Sequence, residues 1–225
     1  MLIGIIIMWA ALAHCQTRYG YGRVQDYSTR SMFILLGYSS GPHFSKFVDW
    51  ANDYYSQYFS STDKIKDFNG GLDFSAGLRN RFSHNFAVEF DFGIHSTSIK
   101  KQLNGGQALK LDLNVAQFTV SPIIIFDFSD RQLVIPFVGA GISVYSMRLD
   151  HSIDYNYLHT KVALASNFML GIDAKIKGKL WGDIRGDWTI GSAKMPISFI
   201  SNQPESFTMS LNSAQFHIGI VYDID

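Results

Sequence analysis

Residues 85–95 read NFAVEFDFGIH. Phe86, Val88, Phe90, Phe92 and Ile94 alternate with Ala87, Glu89, Asp91, Gly93 and His95, and a period of two sends the two sets to opposite faces of a β-strand. One face is wholly aromatic, aliphatic or β-branched. The other carries two carboxylates and an imidazole. A soluble sheet would bury the first and wet the second, whereas a barrel in a bilayer would turn the first to lipid and enclose the second. One strand cannot separate these designs.

The rest of the chain repeats the pattern. Leu72, Phe74, Ala76 and Leu78 alternate with Asp73, Ser75, Gly77 and Arg79, and Arg81 continues the polar phase. Phe168, Leu170, Ile172, Ala174 and Ile176 alternate with Asn167, Met169, Gly171, Asp173 and Lys175. Leu180, Ile184, Trp188 and Ile190 alternate with Trp181, Asp183, Arg185, Asp187 and Thr189, and Phe216 to Tyr222 does the same around His217. Met32 to Ser39, Ala108 to Phe128 and Leu133 to Met147 complete eight candidate strands, several longer than the usual five or six residues. Two are out of phase with themselves. Leu109, Leu111, Leu113 and Val115 share one phase, and Phe118, Val120, Ile124 and Phe126 share the other. Either a bulge near Ala116 resets the register or the first half projects above a bilayer. A similar slip lies between Leu211 and Phe216.

The seven connections alternate long and short. Ser40–Asn69, Lys100–Gln107, Arg148–Thr160 and Ser192–Ser206 are long; Ser83–Asn85, Asp127–Gln132 and Lys177–Lys179 are tight. Outer-membrane barrels have tight periplasmic turns and long surface loops. The fold class read from this is all-β: an eight-stranded antiparallel up-and-down transmembrane β-barrel, with termini expected on the side opposite the short turns. In the first loop Phe44, Phe47, Val48, Ala51, Tyr55 and Tyr58 fall at helical spacing, opposite Asp49, Asn52, Asp53, Ser56 and Gln57. This predicts a short amphipathic helix that caps the barrel mouth, rests on lipid or docks a partner.

Composition bounds the function. Formal charge is zero over 225 residues, and no Lys/Arg cluster invites nucleic acid. No apolar run reaches the ~20 residues of a spanning helix. The single cysteine, Cys15, excludes an intrachain disulfide. Residues 1–13, MLIGIIIMWAALA, resemble the apolar region of a secretory signal, although no basic residue precedes it. Ala11-Leu12-Ala13 and Ala13-His14-Cys15 offer cleavage sites, and Leu12–Cys15 brushes against a lipoprotein box. The expected organisation is a signal peptide over 1–15, a short periplasmic segment over 16–30 and the barrel over 31–225.

Ile135-Pro136-Phe137-Val138-Gly139-Ala140-Gly141 is similar to the Pro-aromatic-x-Gly-x-Gly strand start of small outer-membrane barrels, and Phe216–Tyr222 is similar to their aromatic final strand. On these residues the chain resembles the eight-stranded superfamily that includes OmpA-type transmembrane domains and opacity proteins. The resemblance spans roughly residues 30–225 and implies a fold and an outer-membrane location, but no catalytic residue. The end, Tyr222-Asp223-Ile224-Asp225, departs from the terminal aromatic common in that group. No peptidoglycan-binding module follows, so that anchoring role is not expected.

The polar phase collects Asp73, Arg79, Arg81, Glu89, Asp91, Asp173, Lys175, Asp183, Arg185, Asp187 and His217. An eight-stranded bore is just wide enough for side chains, and enclosed charges must pair, so an internal ion network that fills the lumen is expected. The alternative is a narrow proton or solute path lined by His95, His217 and the carboxylates, and stable porin activity is not expected. His95-Ser96-Thr97-Ser98 faintly resembles the His-x-Ser arrangement of lipid A deacylases, yet no spacing supplies a base and its orienter, with Glu89 and Glu205 the only glutamates. Asp150, His151, Asp154 and His159 crowd one loop without recognisable ligand spacing. No catalytic residue, cofactor or metal is assigned, and a lipid A-modifying enzyme is kept as a minor alternative.

Trp50, Tyr54, Tyr55, Tyr58, Tyr155 and Tyr157 crowd the long loops. Such residues give large contact area for little entropy, so they are candidate surface contacts; an aromatic girdle or packing of the cap is the competing role. The expected partners are outer-membrane lipid, lipopolysaccharide and an unidentified surface partner, with the barrel a monomer. A soluble lipocalin-like barrel is the remaining rival, opposed by a row such as Glu89, Asp91, Asp183 and Arg185 that an apolar core would not tolerate.

Overall fold

The computed structural model describes residues 29–59, 64–68, 70–102, 108–128, 132–153, 155–196 and 206–224. The segment read as a signal peptide, and most of the short one after it, lie outside these. The elements are β1 (Thr29–Ser39), α1 (Ser45–Phe59), β2 (Gly71–Ser83), β3 (Phe86–Gln102), β4 (Ala108–Ile125), β5 (Val134–Ile153), β6 (Tyr155–Lys177), β7 (Leu180–Pro196), β8 (Ser206–Ser210) and β9 (Ser213–Asp223). β8 and β9 form one stave. Both pair with β7, and the register runs on from Ser192↔Ser210 to Thr189↔Ser213 across Leu211 and Asn212. β1 pairs antiparallel with both β2 and β9, so eight staves close into a barrel without an open edge.

Tight turns join β2 to β3 and β6 to β7, where Gly178 takes a left-handed φ of 56° that other residues rarely adopt. The described ends of the barrel, Thr29 and Ile224, lie on this side, not on the opposite one as the sequence reading has it. Thr29 pairs with Arg81 beside the β2–β3 turn, and the Asp223 amide donates to the Lys179 carbonyl at 3.0 Å. Eight staves have seven connections, and because the first is long, the short turns and both ends fall together.

The staves are longer than the periodicity suggests. Arg148–Thr160, expected as a loop, is the end of a β-hairpin: β5 and β6 stay in register from Arg148↔Thr160 to Ile153↔Tyr155. β3 and β4 likewise pair out to Gln102↔Ala108, and β7 and β8 to Pro196↔Ser206.

No bulge interrupts β4 at Ala116; its pairing with β3 is continuous from Ala108 to Ile124. Register shifts occur instead at Arg81/Ser83 and Lys175/Lys177, next to the tight turns. The phase reversal in β4 is a reversal of environment. Leu111, Leu113 and Val115 point inward in the upper barrel, while Phe118 points outward lower down. Leu211 and Phe216 divide in the same way, the first buried within and the second exposed without.

Outside, Ile34, Leu36, Phe92, Leu164, Leu170 and Ile218 belong to a continuous belt, each about half exposed or more. An apolar band that encircles a barrel is made for lipid and would aggregate in water. This excludes the soluble lipocalin-like alternative. Above the belt the outer face turns polar at Ser96, Ser98, Asn114, Ser146 and Arg148, all exposed.

Candidate functional site

The enclosed polar residues fall into two clusters and a rim. In the lower cluster, Arg79 on β2 donates from Nε to Glu89 Oε2 at 3.0 Å, from Nη1 to Asp173, and from Nη2 to Asp183 at 3.4 Å. Arg185 on β7 donates from Nε to Asp183 Oδ1 at 2.9 Å, from Nη2 to Asp183 Oδ2 at 2.6 Å, and from Nη1 to Glu89. Two planar forks thus share Glu89 and Asp183, a geometry in which each carboxylate accepts several charge-assisted bonds. Arg185 is only 2% exposed.

Aromatic faces close the cluster. The Arg79 guanidinium lies 4.7 Å from the Phe137 ring centroid, and that of Arg185 lies 4.9 Å from Phe33. Inward glycines make room for these rings: a Cβ on Gly77 would lie 2.4 Å from Phe33 Cζ, and one on Gly171 would lie 2.4 Å from Phe137 Cζ. The sequence reading did not single out Phe33, and it named Phe137 only as the aromatic of the strand-start motif. Their signal is an aromatic in the otherwise polar phase, opposite a glycine on the neighbouring stave.

The second cluster sits on β2, β7 and β9. His217 is held between Asp187, at 3.0 Å from Nδ1, and Asp73, at 3.1 Å from Nε2. Only a doubly protonated ring can donate on both sides. Gly37 provides the space, since a Cβ there would lie 2.4 Å from His217 Cδ2. Asp91 belongs to neither cluster, and its buried Oδ1 meets no partner among the described residues. Each cluster carries one carboxylate more than its cations: Glu89, Asp173 and Asp183 against two arginines, and Asp73 and Asp187 against one histidine.

Arg81 and Lys175 lie at the tight-turn rim. Arg81 donates to Asp127 at 2.6 Å and to the Ser83 carbonyl at 3.1 Å, while Lys175 Nζ lies 4.1 Å from the Trp181 ring centroid. Trp181 in turn donates to Asp223 at 2.9 Å. Asp127 and Asp223 were not anticipated, because each stands in a turn or at a strand end where polarity is ordinary.

Over the charged clusters lies an apolar plug. Phe44, just before α1, and Phe47, Val48 and Ala51 on it are buried against Leu111, Leu113, Met147, Met195 and Met209 of the wall. Asn52, from the polar face, tethers the returning chain: its amide donates to the Ile65 carbonyl at 3.0 Å and its oxygen accepts from the Ile65 amide at 2.6 Å. At the seam between plug and charges, Tyr145 and Thr189 pair through their hydroxyls at 2.8 Å.

Trp50 is half-buried in the plug, with its ring 5.9 Å from Phe47 and 5.8 Å from Phe207. Tyr54, Tyr55 and Tyr58 lie on α1, and Tyr155 and Tyr157 on β6, but their side chains fall outside the described residues, as do those of His151, Asp154 and His159. His95 and Thr97 point inward while Ser96 and Ser98 point outward. Ser96 shares a 2.8 Å hydrogen bond with Asn114, and Glu89 is bound by both arginines. The described residues therefore assemble no Ser–His–carboxylate set here. Nor do they contain a group of three or more His, Cys, Asp or Glu placed to hold a metal ion.

No protein-family model and no characterised protein sequence matches the chain. Solved structures do. The outer membrane protein OprG from Pseudomonas aeruginosa superposes with a TM-score of 0.65 at 10% identity, over 89% of this chain and 97% of that one. Neisserial surface protein A superposes with a TM-score of 0.52 at 10% identity, over 89% and 98%. The chain is a small outer-membrane β-barrel in fold. Identity this low carries the fold alone; it is the apolar belt around the closed wall that places this outer-membrane barrel in its bilayer.

Proposed function

We propose that this outer-membrane barrel is a sealed scaffold that presents its extracellular hairpins to the cell's surroundings and does not conduct solutes. What supports this is filling at two successive levels: the Arg79–Arg185 carboxylate clusters below and the Phe44–Phe47 plug above. A hydrated ion meets fixed ion pairs in one and a packed apolar mass in the other. The β5–β6 hairpin carries the scaffold outward, since its eight residues from Ser146 to Ile153 span roughly 25 Å at ~3.4 Å each. Lipid and lipopolysaccharide at the wall, and a surface partner at the hairpins, are the partners this reading assigns.

Planar-bilayer recording on the purified, refolded chain tests the seal. The expected trace is a steady baseline, and reproducible large conductance steps would overturn the reading. The outward role is tested by replacing residues 148–160 with a two-residue turn. Binding to cells or to lipopolysaccharide should fall while the barrel still folds, and unchanged binding would refute a role for the hairpin.

A further inference from the structure

We propose that the outer wall carries a specific site for a phosphorylated lipid of the outer leaflet, the lipid A part of lipopolysaccharide, in a groove across β2 to β5. The groove encloses about 470 Å³ and crosses the upper edge of the belt. Its lower walls are Phe74 and Ile94, both outward-facing and over 40% exposed. Its floor is made by the small residues Ala116 and Ser146, which sit abreast in the β4–β5 register with Ile94 beside them on β3. Small side chains between large ones leave a trough in a wall otherwise studded with aromatics and aliphatics.

One register step higher the chemistry changes. Ser96, Asn114 and Arg148 stand abreast on three adjacent staves, Ser96 paired with Asn114 and Asn114 with Arg148. All three line the groove and are exposed. Arg148 gives its Nε to Asp150 at 3.1 Å, which fixes the fork and leaves its two Nη groups without another partner among the described residues. Ser96 donates its hydroxyl proton to Asn114 Oδ1 at 2.8 Å, which leaves the Asn114 amide nitrogen as the second donor at this level.

The position selects the occupant. The lower half of the trough lies in the belt and therefore takes acyl chain. The upper half lies at the headgroup level of the outer leaflet and offers a guanidinium, which matches a phosphate in a bidentate way that no neutral headgroup can use. Inward-phase Asp73, His95 and Val115 border the groove from the wall itself and leave the outward row as its donors. This site rests on the reading that the hairpins face outward and that lipopolysaccharide meets the wall, and is independent of whether the lumen conducts.

The test uses the full refolded chain in detergent micelles, with native mass spectrometry and titration. The probes are hexa-acylated lipid A, its dephosphorylated form and inorganic phosphate, and the variants are wild type, Arg148→Gln, Arg148→Lys and Ala116→Trp. Wild type should hold one lipid A, and Arg148→Gln should weaken it about tenfold or more, the size of a lost charge-assisted contact, with Arg148→Lys intermediate. Ala116→Trp should weaken both lipid forms by filling the trough. Heat-modifiable migration on a denaturing gel confirms that each variant is folded. Equal binding of phosphorylated and dephosphorylated lipid, or no effect of Arg148→Gln, would overturn the proposal. So would inorganic phosphate that competes as well as lipid A, which would mark a free-anion site.

Discussion

The lower and upper barrel are built from the same eight staves with opposite rules. Below, charge is inside and hydrocarbon faces out: Arg185, Glu89 and Asp183 are enclosed while Phe92, Leu170 and Ile218 meet lipid. Above, Leu111, Leu113, Met147 and Phe47 fill the interior and Ser98, Asn114 and Arg148 face out. The upper part is thus organised as a soluble barrel would be, set on top of a membrane barrel. A closed wall does not dictate which face is apolar. The solvent outside does, and the inside compensates, by ion pairing where the wall sits in lipid and by hydrophobic packing where it sits in water.

The comparison breaks most readily at the charged level. Arg185→Met leaves Glu89 and Asp183 with Arg79 alone, and should cost about 3–5 kcal/mol, read as a drop in the urea midpoint of the folded band in detergent. Replacing Glu89 and Asp183 by Gln and Asn in the same chain should restore part of that loss. No restoration would mean that the cost is steric and not electrostatic.

Phe47→Ala empties the centre of the plug, and ~3 kcal/mol is expected for a cavity of that kind. The two levels should then separate. Proteolysis of α1 should accelerate while heat-modifiable migration persists, and simultaneous loss of both would show that the halves fold as one unit.

An arginine reads the outer boundary. Leu170→Arg, in the middle of the belt on β6, should cost about 2–4 kcal/mol. Ser98→Arg, above the belt, should stay within about 0.5 kcal/mol. Equal costs would displace the boundary drawn here.

The smallest effect lies at the seam. Tyr145→Phe removes one buried hydroxyl pair with Thr189 and should cost about 1 kcal/mol by equilibrium unfolding, with both clusters intact. A much larger loss would mean that the seam couples the halves.

β3 shows how far a sequence can be read. From Phe86 to Ile94 its alternation names the lipid face and the enclosed face without help, because period two is a property of the extended chain. The candidate lumen residues were legible for the same reason, and eight of the eleven stand in the two clusters. Arg81 and Lys175 share that phase yet sit at the rim, since phase says nothing about height along a tilted stave. Asp91 shares the phase too, yet it stands outside both clusters. Trp50 was readable as a loop aromatic for surface contact, a girdle or cap packing, and only the closed wall, which supplies Phe207 as its neighbour, places its ring in the plug.

The sequence by itself determined the strands, their number, the alternation of long and short connections, the amphipathic helix of the first loop and the phase in which the charges stand. All of these follow from local periodicity and from the turn residues between the strands. Only the tertiary structure decided that the reversal in β4 is a change of surroundings and not a bulge, that Arg148–Thr160 is hairpin and not loop, and which carboxylate each arginine holds. These depend on contacts between distant parts of the chain, such as Arg79 with Asp173 and Arg185 with Glu89, whose separations are set when the barrel closes and not by any spacing along it.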